Sequence, residues 1–329
     1  MPDAPRLTVL AGGVGGARFL RGLQAAVGDS AEITVIGNTG DDLWIHGLRV
    51  CPDLDTVMYT LGGGISEERG WGREDETFTV KAELAAYDVE PSWFGLGDRD
   101  IATHLVRTQM LNAGYPLSAI TEALCARWRP GVRLIPMTDE RAETHVVIED
   151  DDGRRAIHFQ EWWVRHQARI PARSIVLVGA DDAKPAPGVI EAIETADVIV
   201  LPPSNPVVSV GTILQVPGIR ESLRRAPAPV VGVSPIIGGR PVRGMADACL
   251  AAIDVDATAE AVAAHYGARS GPDGILDGWL VDSTDADAVT PVEGLGIACV
   301  ARPLLMSDLG ATAAIASEAL ALADRIGTR

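Results

Sequence analysis

The chain has 329 residues, of which 28 are Lys or Arg and 45 are Asp or Glu, giving a formal net charge of −17; 47% are hydrophobic and 22% charged. This composition supports a sizeable core and excludes a disordered chain, while the acidic field repels nucleic-acid phosphates and anionic membrane surfaces. A phosphorylated ligand must then be held locally, by backbone amides, a few arginines or a divalent cation.

Leu7 to Leu10 is a short apolar run followed by glycines and then by Phe19, Leu20 and Leu23 at helical spacing, which predicts strand, tight turn and helix. Ile33 to Ile36 predicts a second strand ending in the turn former Gly37-Asn38-Thr39-Gly40-Asp41-Asp42. The apolar stretch Leu48 to Cys51 runs into Pro52-Asp53, a proline-and-acid helix start. Between about residues 62 and 130 the pattern turns to glycine and charge, then to two amphipathic helices, Ile101 to Asn112 and Leu117 to Trp128. This is the expected helical insertion.

Strand signals return at Arg133 to Pro136 and His145 to Glu149, and Asp151-Asp152-Gly153 predicts a hairpin turn into Ala156 to Phe159. The second half alternates: Ile175 to Gly179, a helix near Val189 to Thr195, Val198 to Leu201, a helix near Ile219 to Arg225, and Val230 to Ser234. Strand alternating with helix predicts an α/β fold, a Rossmann-like doubly wound and mainly parallel sheet, in one domain spanning 1–329 with the helical insertion inside it. Chemistry is expected on loops that follow strands.

Four such places stand out. Gly12-Gly13-Val14-Gly15-Gly16 follows a strand and opens a helix, where free amides and the helix dipole favour a phosphate. Asp41, Asp42, Asp53 and Asp55 offer oxygen ligands suited to magnesium, although Asp53 also reads as a helix cap and Asp41 as a turn former. Pro203-Ser204-Asn205-Pro206 is a stiff loop with polar side chains, and Ser234-Pro235-Ile236-Ile237-Gly238 repeats the arrangement after the next strand. Within Gly97-Asp98-Arg99-Asp100, an aspartate reads as a helix cap and Arg99 as an anion clamp or a salt-bridge member.

Other signals are weaker. The cysteines Cys51, Cys125, Cys249 and Cys299 form no CxxC pair, which fits a reducing, cytoplasmic setting without zinc or disulfides. No apolar run reaches the ~18 residues of a membrane span, and the start Met1-Pro2-Asp3-Ala4-Pro5-Arg6 lacks a leader's apolar stretch. His46, His104, His145 and His158 show no HxxxH or HxH spacing and read as structural or as minor ligand contacts. Seven tryptophans suit core packing or a flat aromatic ligand. Arg18 stands where a dinucleotide fingerprint needs its third glycine, which sets aside a nicotinamide dehydrogenase.

Taken in order, these loops together with Pro52-Asp53-Leu54-Asp55-Thr56 and Leu96-Gly97-Asp98-Arg99-Asp100 resemble the 2-phospho-L-lactate transferase family of coenzyme F-420 biosynthesis. Arg69-Gly70-Trp71-Gly72, Trp93-Phe94-Gly95 and Leu276-Asp277-Gly278-Trp279 resemble its actinobacterial phosphoenolpyruvate transferase branch. The resemblance implies a Rossmann-like core, a homodimer and a magnesium-dependent reaction. In that reaction the ribityl hydroxyl of the deazaflavin Fo attacks a guanosine diphosphate-linked three-carbon acid, and GMP leaves. The branch implies a phosphoenolpyruvyl rather than a phospholactyl group.

By motif, Gly12, Gly13, Gly15 and Gly16 with Ser204 and Asn205 are then expected to hold the donor, with Asn38, Thr39 and Ser234 in the same ligand-binding loops. Asp42, Asp53 and Asp55 are expected to serve metal and hydroxyl, and Arg99 to lie near Fo. Val14, Gly95 and Pro202 depart from the family's pattern. The competing class is a non-catalytic regulator that binds nucleotide sugars on a similar scaffold and shares the first glycine loop.

Overall fold

β1 (Arg6–Ala11) is buried along five of its six residues, the mark of a strand covered on both faces. In a computed structural model, which describes residues 4–151 and 153–327, it lies inside a seven-stranded sheet. The other strands are β2 (Glu32–Gly37), β3 (Arg133–Pro136), β4 (Val198–Leu201), β5 (Val230–Val233), β6 (Gly278–Asp282) and β7 (Ala298–Arg302). Met1-Pro2-Asp3, part of the leader reading, and Asp152 of the hairpin turn lie outside the described residues.

The spatial order is β3-β2-β1-β4-β5-β6-β7, and every neighbouring pair is parallel. The order reverses between β1 and β4, so their carboxyl ends flank the crevice where such sheets bind ligands. Alternate strand residues feed separate cores, as a period of two requires. Val9, Val35 and Val200 pack with Phe19, Leu20 and Met58, whereas Leu10, Ile36 and Ile199 pack with Trp162, Ile213 and Trp279.

The two faces are covered by helices. α1 (Gly13–Val27) lies against the helix Leu309–Gly327, closely enough that a Cβ on Gly22 would come within 2.6 Å of the Thr312 carbonyl carbon. α2 (Pro52–Leu61) starts at the crevice and packs beside α1. Ahead of it Leu43–Ile45 and Leu48–Val50 form an antiparallel hairpin that projects from the carboxyl edge of the sheet.

Two expectations need correction. The strand read at Ile175 to Gly179 is Ala172–Val178, and it does not join the parallel sheet. It pairs antiparallel with Glu143–Asp150, which pairs in turn with Gly153–His158, making a separate three-stranded sheet. Its burial gives the reason: Leu177 is buried while Val176 and Val178 are 40% and 54% exposed, so one face only is covered.

The region between α2 and β3 holds three helices, not two: α3 (Thr79–Ala86), α4 (Asp98–Asn112) and α5 (Leu117–Trp128). α3 is short and buries none of its residues. Its start is fixed by Asp98, which accepts from Thr77 Oγ1 at 2.6 Å and from the amides of Thr79 and Val80 at 2.9 Å. Gly97, not an aspartate, is the N-cap of α4. Among the described residues no helix is long and apolar enough to cross a membrane.

Candidate active site

The first glycine loop joins β1 to α1 at the crevice, and contacts from the other loops explain its composition. A Cβ on Gly15 would lie 2.6 Å from the Pro203 carbonyl oxygen, and one on Gly16 would lie 2.5 Å from Ser204 Oγ. Ser204 Oγ donates to the Gly12 carbonyl at 2.8 Å and accepts from the Gly12 amide at 3.3 Å. The loop after β4 is thus latched onto the loop after β1, which places two of the predicted motifs at one switch point. Gly13 has φ +66°, a conformation that favours glycine. The start of α1 has no side-chain cap, Gly13, Val14 and Gly15 are half-buried, and the amides that follow Gly13 in the first turn have no intrahelical acceptor.

Asp53 meets this loop from α2. Its carboxylate would touch a Cβ on Gly12, and it accepts from Asn38 Nδ2 at 2.9 Å and from the Gly13 amide. Asp53 is therefore no helix cap; Cys51 holds that position. Asn38, wholly buried, also donates to the Val208 carbonyl at 3.1 Å and receives the Gly40 amide on Oδ1 at 2.9 Å. Burial pushes the Asp53 carboxyl up to about 6, against the pull of Asn38 and the Gly13 amide. Asp41 is raised well above the usual range, by burial first and then by repulsion from Asp53 and Asp42. Its Oδ1 is buried without a hydrogen-bond partner, as is Thr39 Oγ1.

The other two predicted aspartates face arginines. Asp42 Oδ2 lies 3.1 Å from Arg49 Nη2, and Arg49 Nη1 lies 3.2 Å from Glu143, all three side chains being buried. Burial raises Asp42 to about 7 even so, with Arg49 pulling it down. Asp55 pairs with Arg107, which is 1% exposed, and lies 3.7 Å from His104 Nδ1. Burial pushes the Asp55 carboxyl up, and the guanidinium in contact with it opposes that shift. His104 Nε2 is 3.2 Å from Asp100 Oδ2, and Tyr59 donates to Asp100 Oδ1 at 2.7 Å.

Two predicted residues serve their own loops. Asn205 Oδ1 accepts from the amides of Val207 and Val208 at 2.9 and 3.2 Å, and Ser234 Oγ bonds to both the carbonyl and the amide of Ile236. Arg99 stands apart from the carboxylates: its side chain is half-exposed, donates to the Glu74 carbonyl at 3.3 Å and lies 3.9 Å from Asp75.

Arg49, Arg107 and His104 join the site without any motif that marks them in the sequence. Their only sequence signal is a basic residue or histidine on the inward face of an otherwise amphipathic element. His158 braces the aspartate loop, its Nε2 donating to the Asp42 carbonyl at 3.1 Å. A cavity of about 270 Å³ opens beside it, lined by Trp44, Trp93, Arg141, Glu143 and His145 among others. A second, apolar one of about 270 Å³ lies between α3 and α4, with Lys81, Leu84, Phe94 and Leu105 on its wall. Neither is walled by the glycine loop.

A glycine-rich helix start at the switch point of the parallel sheet, faced by buried carboxylates, defines a Rossmann-like α/β protein with its candidate site at that crevice. The chain belongs to the 2-phospho-L-lactate transferase CofD family, whose model matches residues 7–293. It is 68% identical over 321 residues to a Streptomyces coelicolor protein named phosphoenolpyruvate transferase, covering 98% of this chain and 99% of that one. Proteins of the same name from Thermobifida fusca and Mycolicibacterium smegmatis are 67% and 59% identical, each covering 97% of this chain and 98% of the relative. In fold alone it is similar to a crystal structure of a UPF0052 family member from Bacillus halodurans, with TM-score 0.63 and 19% identity over 97% of this chain and all of that one.

Proposed function

We propose that this protein transfers a phosphoenolpyruvyl group from a guanosine diphosphate donor to the ribityl hydroxyl of Fo, releasing GMP and forming dehydro coenzyme F-420-0. The observation that carries this reading is the near full-length identity, at 59–68%, to proteins named phosphoenolpyruvate transferase. The crevice geometry agrees with it, because phosphoryl transfer needs positioning and charge neutralisation more than a protein nucleophile.

The donor's diphosphate is assigned to the open amides at the start of α1, with Ser204 keeping the glycine loop in shape. Magnesium fits the adjoining acidic pocket: Asp53 and Asp41 are both buried, Asp41 has an oxygen without a partner, and a cation would offset the repulsion that raises Asp41 and the burial that raises Asp53. A bound magnesium would neutralise charge on the diphosphate. Asp42 is kept in place by Arg49, and Asp55 is the aspartate left for the acceptor's hydroxyl. The planar Fo ring is given to the cavity walled by Trp44 and Trp93. The assembly implied by the resemblance is a homodimer, in the cytoplasm.

The test supplies purified protein, Fo and magnesium with equal amounts of the enolpyruvyl and lactyl donors, and reads products by mass. Dehydro-F-420-0 with GMP is the expected outcome. Mainly lactyl product would reverse the donor assignment, and nucleotide binding without turnover of either donor would favour the non-catalytic regulator.

A further inference from the structure

The cavity walled by Trp44 and Trp93 is also lined by two histidines whose backbone partners fix their protons in opposite ways. His158 Nδ1 accepts from the Gln160 amide at 3.0 Å while its Nε2 donates to the Asp42 carbonyl, so both of its ring nitrogens are spent. His145 is the reverse case. Its Nδ1 lies 3.1 Å from the Glu143 carbonyl, and a carbonyl only accepts, so the proton of the neutral ring sits on Nδ1 and Nε2 keeps its lone pair. That Nε2 has no hydrogen-bond partner among the described residues. The two histidines are opposite each other in the antiparallel pairing of their strands, with ring centroids 5.4 Å apart and edge to face.

Arg141 brings the opposite kind of group to the same wall. Its Nε and Nη2 clamp the two carboxylate oxygens of Glu143 at 2.7 and 2.9 Å, and its Nη1 makes no hydrogen bond among the described residues. Glu143 therefore fixes both neighbours, holding Arg141 by its carboxylate and His145 by its carbonyl. One acceptor and one donor are left over. The charges on the wall are already matched, because Glu143 is bonded by Arg49 as well and Glu161 accepts from Arg165 at 2.8 Å. A wall of matched charges suits a neutral ligand, and a phosphate or carboxylate would face both glutamates. At about 270 Å³ the cavity lies near the small end of ligand sites, which run ~300–1,000 Å³, so it takes one flat ring system and not a whole nucleotide.

We propose that His145 and Arg141 read the imide edge of a planar heteroaromatic ring, His145 Nε2 accepting from its N–H and Arg141 Nη1 donating to an adjoining carbonyl. An imide edge sets one donor between two acceptors, so a neighbouring acceptor and donor on the protein are its complement. The pyrimidinedione edge of a deazaflavin such as Fo has this pattern, and taking Fo as the ring rests on the transfer reaction read above. Trp44 and Trp93 give the ring apolar cover. His158 has no nitrogen to offer the ligand; it ties this wall to the loop that carries Asp42. His145 and Arg141 are thus specificity-determining residues for the acceptor and take no part in the chemical step.

The test uses lumiflavin, which has the imide edge and no ribityl chain, and its N3-methyl derivative, each titrated by fluorescence into the full-length protein. The wild type is expected to bind the N3-methyl ring at least about 10-fold more weakly, since a site built for an N–H leaves its acceptor unpaired when that proton is missing. His145→Gln keeps an oxygen free to accept and His145→Leu has similar bulk with no acceptor. The glutamine variant should keep most of the discrimination and the leucine variant should lose it, whereas a packing role would leave the two variants alike. Arg141→Met should weaken both rings equally. Nitrogen-15 NMR at about pH 8, above the ordinary histidine range, should show His145 as the Nδ1–H tautomer with its Nε2 signal moving on addition of lumiflavin.

No binding of lumiflavin, equal binding of the two rings by the wild type, equal discrimination in the two His145 variants, or an Nε2–H tautomer would each overturn the proposal. Discrimination as expected without turnover of Fo would leave the imide seat standing and remove the transfer reading. N3-methyl Fo turned over with the KM of Fo would do the reverse, sinking the seat while the transfer reading holds.

Discussion

At the scale of single residues, the site is governed by the cost of burying carboxylates. Asp53 and Asp42, lifted by burial to about 6 and about 7, bind protons more tightly folded than unfolded, where an aspartate titrates near ~3.9. Their contribution to stability is complete below the unfolded value and is lost as pH rises through about 6 to 7. Magnesium favours the ionised form, so it should raise Tm more at about pH 8 than at about pH 5, checked by thermal scans with and without the ion. Asp53→Asn should abolish most of that difference and lower turnover by about 100-fold or more, on the scale of one preorganised electrostatic group. Near-normal turnover in the Asp53→Asn variant would remove Asp53 from the chemistry.

At the scale of elements, two glycines of α1 separate binding from stability. Gly15 faces the Pro203 carbonyl oxygen, and Gly22, two turns on, faces the backbone of Thr312 in the helix Leu309–Gly327. Gly15→Val pushes the two crevice loops apart and should remove measurable GDP binding in calorimetry. Gly22→Ala overpacks the helix contact, which should cost about 1–3 kcal/mol of stability in denaturant titration while GDP affinity stays near wild type. Equal loss of GDP affinity in both variants would show that the glycine loop is no distinct binding element.

At the scale of the whole molecule, the net charge of −17 opposes an anionic donor that the crevice attracts locally. Raising ionic strength from about 10 mM to about 150 mM shortens the Debye length from about 30 to about 8 Å. Stopped-flow association of the donor should therefore speed up with salt. A rate that falls instead would mean that local cations steer the encounter and that the overall charge is irrelevant to it.

Much of this was already written along the chain. Strand, turn and helix around Gly12 to Gly16, the alternation of the second half and the ordered loops are local patterns of period and turn chemistry, and they carry the fold class and the family. The pairing of partners was not legible, because it joins residues far apart in sequence. Ser204 latches Gly12 across 192 positions, and Arg107 meets Asp55 across 52. The strand Ala172–Val178 has the composition of a sheet strand in either sheet, and only the cover on one face assigns it to the antiparallel one. His104 has no ligand spacing in the sequence because its partners sit on another helix and one turn along its own. Which aspartate faces the glycine loop, Asp53, and which face arginines, Asp42 and Asp55, was decided by the tertiary structure alone, since a buried charge takes its character from groups that folding brings to it.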